Sequence, residues 1–363
     1  MDVNLISLLR EFKVALSFIG PFAITLFLLP HFAKLASIIG LVDHPNRRKI
    51  HVKPRPLVGG LAMSLGVALT ALLFIPLLNL RGFYAGVVIL VITGALDDFG
   101  EINHRYKFVA QIIAAIFVMS LSKVALHTFG NILPFGSISF VTYTVPMTII
   151  GIVGVCNAIN MIDGLDGLAG GICLMAFGTF AFLSYMYANP VLMLLNLSIC
   201  GSLIAFLIYN WHPAKLFMGD AGSLFLGFAA AYMSIALTQG TNGLVTPVTP
   251  LLVLAVPIVD TLTIMTKRVM KGNNPFRADK GHLHHIVLKM GFSKRQTALI
   301  IILLSGLFCS VAIVGSLLQI PEYWLFFFFM AYFIAYFTAS FFVRKLLRNR
   351  AKLSFIQHAA AVK

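Results

Sequence analysis

Apolar residues in this chain neither alternate nor recur at helical spacing; they run on in long blocks separated by short polar intervals. A helix that crosses a membrane needs roughly 20 mostly apolar residues. The blocks therefore predict spans near 14–36, 57–79, 83–98, 108–125, 141–160, 167–187, 191–210, 223–238, 249–266, 297–318 and 323–343. The expected fold class follows: an all-α, polytopic membrane protein of about eleven transmembrane helices, because helices satisfy their own backbone in lipid. The first block is long and lacks a small-residue cleavage pattern, so it is expected to be a true span, not a signal peptide. No repeat, low-complexity segment or linker divides residues 1–363, which are expected to form a single integral membrane domain.

Composition agrees with the pattern. The chain is 59% hydrophobic and 11% charged, against about 25% charged in soluble globular domains. Cys156, Cys173, Cys200 and Cys309 all lie in apolar blocks without CxxC spacing and are expected to be buried thiols, not disulfides or metal ligands.

A net charge of +15 would point to nucleic acid in a soluble protein; here it records topology and attraction to anionic lipid. With the C-terminus placed in the cytoplasm, 23 of the 27 Lys and Arg residues fall inside and only Arg10, Lys13, Arg81 and Lys123 fall outside. The positive-inside bias thus predicts a periplasmic N-terminus and a cytoplasmic C-terminus. It also marks a basic cytoplasmic loop at 267–296 and a basic tail at 344–363, and it excludes nucleic acid as the expected partner.

The twelve acidic residues are the next clue. Asp43, Asp97, Asp98, Glu101, Asp163, Asp166, Asp220 and Asp279 all fall at the same, cytoplasmic side, and Asp260 lies within the inner half of its span. Acids beside apolar segments are costly and usually face a protein interior or a water-filled cavity. Eight on one face point to a cation or an anionic substrate.

Three clusters sharpen this. Asp97-Asp98 ends an apolar run, and adjacent carboxylates repel unless a cation or shared proton compensates; either can act as a base or as an orienting group. Lys107 follows ten residues after Asp97, where an ammonium can hold a phosphate. Asn160, Asp163 and Asp166 recur every third residue, expected to stack on one helical face, with Gly164 and Gly167 allowing a tight backbone. Oxygen donors of this kind suit a hard cation such as Mg²⁺. Phe217 to Ser223 opens another span with a glycine-flanked Asp220; its backbone N–H groups are expected to face phosphates, with Phe217 stacking on a base. The basic loop adds Arg277 and His282-Leu283-His284-His285, which read better as contacts to phosphate or sugar than as a zinc site.

Taken in order, Gly40–Asp43, Pro56–Gly60, Asp97-Asp98, Asn157–Gly167, Phe217–Ser223 and His282–His285 resemble the polyprenyl-phosphate N-acetylhexosamine-1-phosphate transferases across most of the chain. The resemblance implies transfer of GlcNAc-1-phosphate from UDP-GlcNAc to undecaprenyl phosphate, giving GlcNAc-diphospho-undecaprenol and UMP. The setting it implies is the bacterial inner membrane, with the site facing the cytoplasm and with Mg²⁺ or Mn²⁺. It implies Asp220 and Asn160 as metal ligands, and Asp97, Asp98 and Asp163 as catalytic carboxylates. It gives Lys107, Asp166, Phe217, Arg277, His282, His284 and His285 to the substrates. Membrane lipids are further expected partners, and a homodimer is compatible with the sequence. The MurNAc-pentapeptide branch usually carries three consecutive histidines, a run that Leu283 interrupts here. A secondary transporter is the alternative of another class, but its ionisable groups belong near the midplane, on paired repeats.

Overall fold

The computed structural model describes residues 3–43, 54–239, 245–273 and 281–361, with side chains described from 11 to 342 apart from Asn79. The chain is a bundle of helices: α1 (Val3–Ile39), α2 (Gly59–Phe74), α3 (Leu77–Phe99), α4 (His104–Leu121), α5 (Thr144–Ile162), α6 (Leu168–Met186) and α7 (Pro190–Asn210). It continues with α8 (Gly219–Thr238), α9 (Val248–Val253), α10 (Ala255–Met270), α11 (Leu283–Lys289), α12 (Lys294–Leu317) and α13 (Glu322–Ala361). A two-residue ribbon, β1 (Val42–Asp43) against β2 (Arg55–Pro56), pairs antiparallel between α1 and α2.

Every expected span has a helix at its place, but not every one of these helices is both long and strongly apolar. Eight of the described helices are long and apolar enough to span a membrane. Three positions read as spans differ. α2 has 16 residues, and α4 opens on His104, Arg105 and Lys107. The block at 249–266 is broken into α9 and α10 around Leu254, where Pro250 and Pro257 withhold N–H donors on either side. Hydropathy reads the apolar run and does not register such a break.

Burial ranks the helices. In α8, 89% of the most apolar stretch is buried, against 17% in α13, so α8 is the axis and α13 lies outside. α8 packs on α2, α3, α5 and α6, while α1 leans on α7 and α2. On the outside, Phe27, Ile38, Leu73, Leu303 and Phe342 are more than half exposed. An apolar surface of that size is suited to lipid, not water. The four cysteines are buried and free.

Close approach around the axis depends on missing side chains. A Cβ at Gly60 would enter the backbone of Ala221-Gly222, and one at Gly94 would enter the backbone of Asp220-Ala221. The start of α8 is thus clamped between α2 and α3 with backbones in contact, and Gly60 N–H donates to the Met218 carbonyl at 2.8 Å.

Candidate active site

Four helix ends meet at one end of the bundle: the C-terminal ends of α3 and α5 and the N-terminal ends of α4 and α8. Their acids come together there. α3 delivers Asp97 and Asp98 in its last turn, and α8 delivers Asp220 in its first. The Lys107 ammonium, from the first turn of α4, bridges Asp97 at 2.5 Å and Asp220. Asp97 is further held by the Ile102 N–H at 2.9 Å.

Asp98 has a different environment. It accepts from the backbone N–H of Asp220 at 2.8 Å and of Ala221 at 3.2 Å. Gly219 makes the turn before α8 with a φ of +74°, and its missing Cβ leaves room for the Asp98 carboxylate. The free N–H groups and positive dipole end of α8 therefore bind a carboxylate of the chain itself. This corrects the expectation that those groups face phosphates: the adjacent acid already occupies them.

Asn160 reaches the same place from the last turn of α5. Its amide nitrogen donates to Asp220 Oδ1 at 3.1 Å and to the Ser223 hydroxyl at 2.8 Å. The expected stack of Asn160, Asp163 and Asp166 does not form, because α5 ends at Ile162 and the chain turns through Gly164 and Gly167. Asp163 caps the helix end. It is open to water at the surface but enclosed by the surrounding bundle, and that enclosure, ahead of the charges of Asp220 and Asp166, pushes its carboxyl up to about 7. Asp166 turns away and ties the loop after α7, accepting from His212 Nδ1 at 2.8 Å and the Ala214 N–H at 3.1 Å. Asn210 completes that tie, accepting from the Gly167 N–H at 2.9 Å and donating to the Leu216 carbonyl at 2.9 Å.

Phe217 is half-buried, and its backbone stitches two distant segments: its N–H donates to the Pro56 carbonyl at 2.9 Å and its carbonyl accepts from Gly59 at 3.0 Å. Of the histidine run, His282 and His284 are buried, 7% and 3% exposed, and His285 is half-buried. His284 lies against Gly164, so α11 docks on the turn that carries Asp163. Burial, with the neighbouring His285 and His282, holds the His284 imidazole down to about 3, neutral at physiological pH. Arg277 lies outside the described residues, as do residues 44–53 of the early basic loop.

Sequence reasoning missed the roles of His212, Asn210 and Asp260. The His-Pro step at 212–213 gave no hint that an Asp 46 residues earlier is its partner. An apolar groove of about 480 Å³ runs between α1, α2 and α3, lined by Phe32, Leu65, Val88 and others. The lining ends at Phe99, the residue after Asp98.

These residues suit a divalent cation that arrives with a phosphate ligand. Among the described residues no three His, Cys, Asp or Glu side chains converge as a ready-made metal cage. Asp97 and Asp220 nevertheless converge on one cationic group, the Lys107 ammonium. Mg²⁺ is usually bound by one or two carboxylates plus substrate phosphates, so this oxygen-rich pair fits it.

Residues 80–238, from α3 to the end of α8, match the model for glycosyl transferase family 4. The chain is 34% identical over 325 residues to an undecaprenyl-phosphate alpha-N-acetylglucosaminyl 1-phosphate transferase of Haemophilus influenzae, covering 86% of this chain and 89% of that one. It is 32% identical to proteins so named in Escherichia coli K12, over 86% of each chain, and in Yersinia pestis, over 80% of this chain and 81% of the relative. Fold and site together define a multi-pass membrane transferase with its acids gathered at one end of the bundle. The chain belongs to the undecaprenyl-phosphate N-acetylglucosaminyl 1-phosphate transferase family.

Proposed function

We propose that this enzyme transfers GlcNAc-1-phosphate from UDP-GlcNAc to undecaprenyl phosphate, giving GlcNAc-diphospho-undecaprenol and UMP. In this reading it works at the cytoplasmic face of the bacterial inner membrane, as the first membrane step of an O-antigen or enterobacterial common antigen type of polysaccharide. The observation that carries it is the meeting of Asp97 and Asp220 on Lys107, with Asp98 on the backbone of Asp220, at the end of an apolar bundle. A soluble, anionic donor and a lipid acceptor can meet only at such an interface. The apolar groove that reaches Phe99 supports a lipid acceptor.

The chemistry is a single displacement. An oxygen of the lipid phosphate attacks the β-phosphorus of the donor in line, the bond to the bridging oxygen breaks, and UMP leaves with that oxygen. Asp97 takes any proton left on the lipid phosphate, and Lys107 holds a phosphate once it is released from the two acids. Asp98 keeps Asp220 in place through the backbone of α8. Asp220 and Asn160, with Asp97 beside them, would hold Mg²⁺ or Mn²⁺, which when bound would supply charge neutralisation for the diphosphate and the leaving UMP. A phospho-enzyme trapped at Asp97 or Asp98 with labelled donor would replace this scheme by a double displacement.

The test is a membrane assay with radiolabelled UDP-GlcNAc and undecaprenyl phosphate, with and without Mg²⁺, repeated with UDP-MurNAc-pentapeptide. Metal-dependent label in the lipid fraction from UDP-GlcNAc alone supports the reading. Transfer from the pentapeptide donor alone moves the enzyme to the peptidoglycan branch. Asp220→Ala should lower turnover by at least about 10³-fold in a protein that still elutes as a folded species; full activity in that variant overturns the metal assignment.

A further inference from the structure

Asp260 stands apart from the acids described so far. It lies on α10, is 2% exposed, and takes no part in the cluster around Lys107. A carboxylate so far from water is expensive unless donors surround it. Three do. Asp260 Oδ2 accepts from His282 Nδ1 at 2.8 Å, and Oδ1 accepts from the Leu283 N–H at 2.9 Å and the Tyr336 hydroxyl at 2.6 Å. The donors come from the start of α11 and from α13, so one carboxylate joins three helices at the point where the histidine run begins.

The contact also decides the state of the imidazole. A carboxylate facing Nδ1 requires a proton on Nδ1 and leaves Nε2 as the nitrogen on the far side of the ring. From there the order is handed on. The His282 ring is stacked on His284, with centroids 5.7 Å apart and planes 6° apart. His284 in turn rests on Gly164, next to Asp163. The chain of contacts runs from Asp260 to the turn that borders the acid site, and His284 Nδ1 is buried without a partner among the described residues.

We propose that Asp260, supported by Tyr336, is a positioning residue for the transfer reaction: it fixes the tautomer and ring plane of His282 and so sets the histidine run against the donor's diphosphate. The kinetic side of this rests on the transferase reading above; the tautomer does not. Outer partners of this kind typically cost 10–100-fold when removed from metal-ligating histidines, and an aspartate-to-asparagine change beside a histidine acts by inverting its tautomer.

The experiment uses the full-length enzyme in nanodiscs, as wild type, Asp260→Asn, Tyr336→Phe, His282→Asn and the Asp260→Asn/His282→Asn pair. Asp260→Asn is expected to lower kcat at least about tenfold with a much smaller change in the KM for undecaprenyl phosphate. In the His282→Asn background it should cost less than about twofold, because residues that act as one unit are not additive. Multiplying losses, or a fall in melting temperature with kcat intact, would overturn the proposal by making Asp260 a packing strut. Should Asp260→Asn not fold, Tyr336→Phe carries the same comparison, with a smaller loss that must also vanish without His282. Imidazole ¹⁵N spectra provide the second readout: His282 in the Nδ1–H form in wild type supports the proposal, and the Nε2–H form refutes it. If the wild type transfers nothing from UDP-GlcNAc, the transferase reading fails and the spectra alone still decide the role of Asp260.

Discussion

The four aspartates nearest the site differ in what surrounds them, and Asp163 offers the cleanest test. Its carboxyl, pushed up to about 7 by enclosure and by Asp220 and Asp166, is half protonated near neutral pH. Because the folded value lies above the unfolded one of about 3.9, its contribution to stability is full below that value and is lost as pH rises to about 7. A cation at the site favours the ionised form, so metal binding should release a proton from this region at neutral pH. In ¹³C-aspartate spectra of the metal-free enzyme, one carboxyl should titrate near 7, vanish in Asp163→Asn, and move down on adding Mg²⁺. An Asp163 resonance that titrates near 4 without metal would show that water, not the bundle, sets its charge. The candidate residues were legible because acids are rare in this chain and most of them fall in segments expected on one side. Their partners were not. Asp166 with His212, and Asp260 with His282 and Tyr336, join positions separated by 46, 22 and 76 residues, and no local pattern encodes such pairs.

At the scale of elements, what sequence reading conveyed was position and what it lacked was depth. Long apolar runs identify helices whatever they touch, so α1, α5 to α8, α12 and α13 fall where expected. The same runs hide that α8 is the axis, since a buried helix and a lipid-facing one are both apolar. They also hide the break at Leu254. Glycine carried the missing information. Gly94 lies where α3 touches the start of α8, whereas Gly154 on α5 has open space where a Cβ would stand. Gly94→Val should therefore destabilise the enzyme by about 1–3 kcal/mol or more and cut turnover in whatever folds, while Gly154→Ala should be near neutral. Melting curves in detergent with matched activity assays test the pair, and wild-type behaviour of Gly94→Val would refute the backbone contact.

For the whole molecule, topology is the property to measure. The site residues cluster at one end of the bundle, and the bias of Lys and Arg predicts that this end is cytoplasmic, with the N-terminus outside and the C-terminus inside. All four native cysteines are buried, which makes a labelling experiment clean. Ser137→Cys, in the loop before α5, should react with an impermeant maleimide in intact cells, and Lys271→Cys, just after α10, only after permeabilisation; both positions are exposed. The reverse pattern would turn the site outward and away from any cytoplasmic nucleotide.

The placement of Asp98 on the N–H groups of α8 has a pharmacological consequence. Many phosphate sites greet their ligand with an empty helix terminus and are fooled by simple anions. Here that terminus is already filled by a carboxylate, and further acids crowd the approach. Orthophosphate alone should therefore find little attraction at this terminus, which a titration with inorganic phosphate would check. Inhibitors that merely imitate the negative charge of a diphosphate should be poor competitors for the same reason. Compounds that carry a cationic group into the place of the Lys107 ammonium should be the better leads.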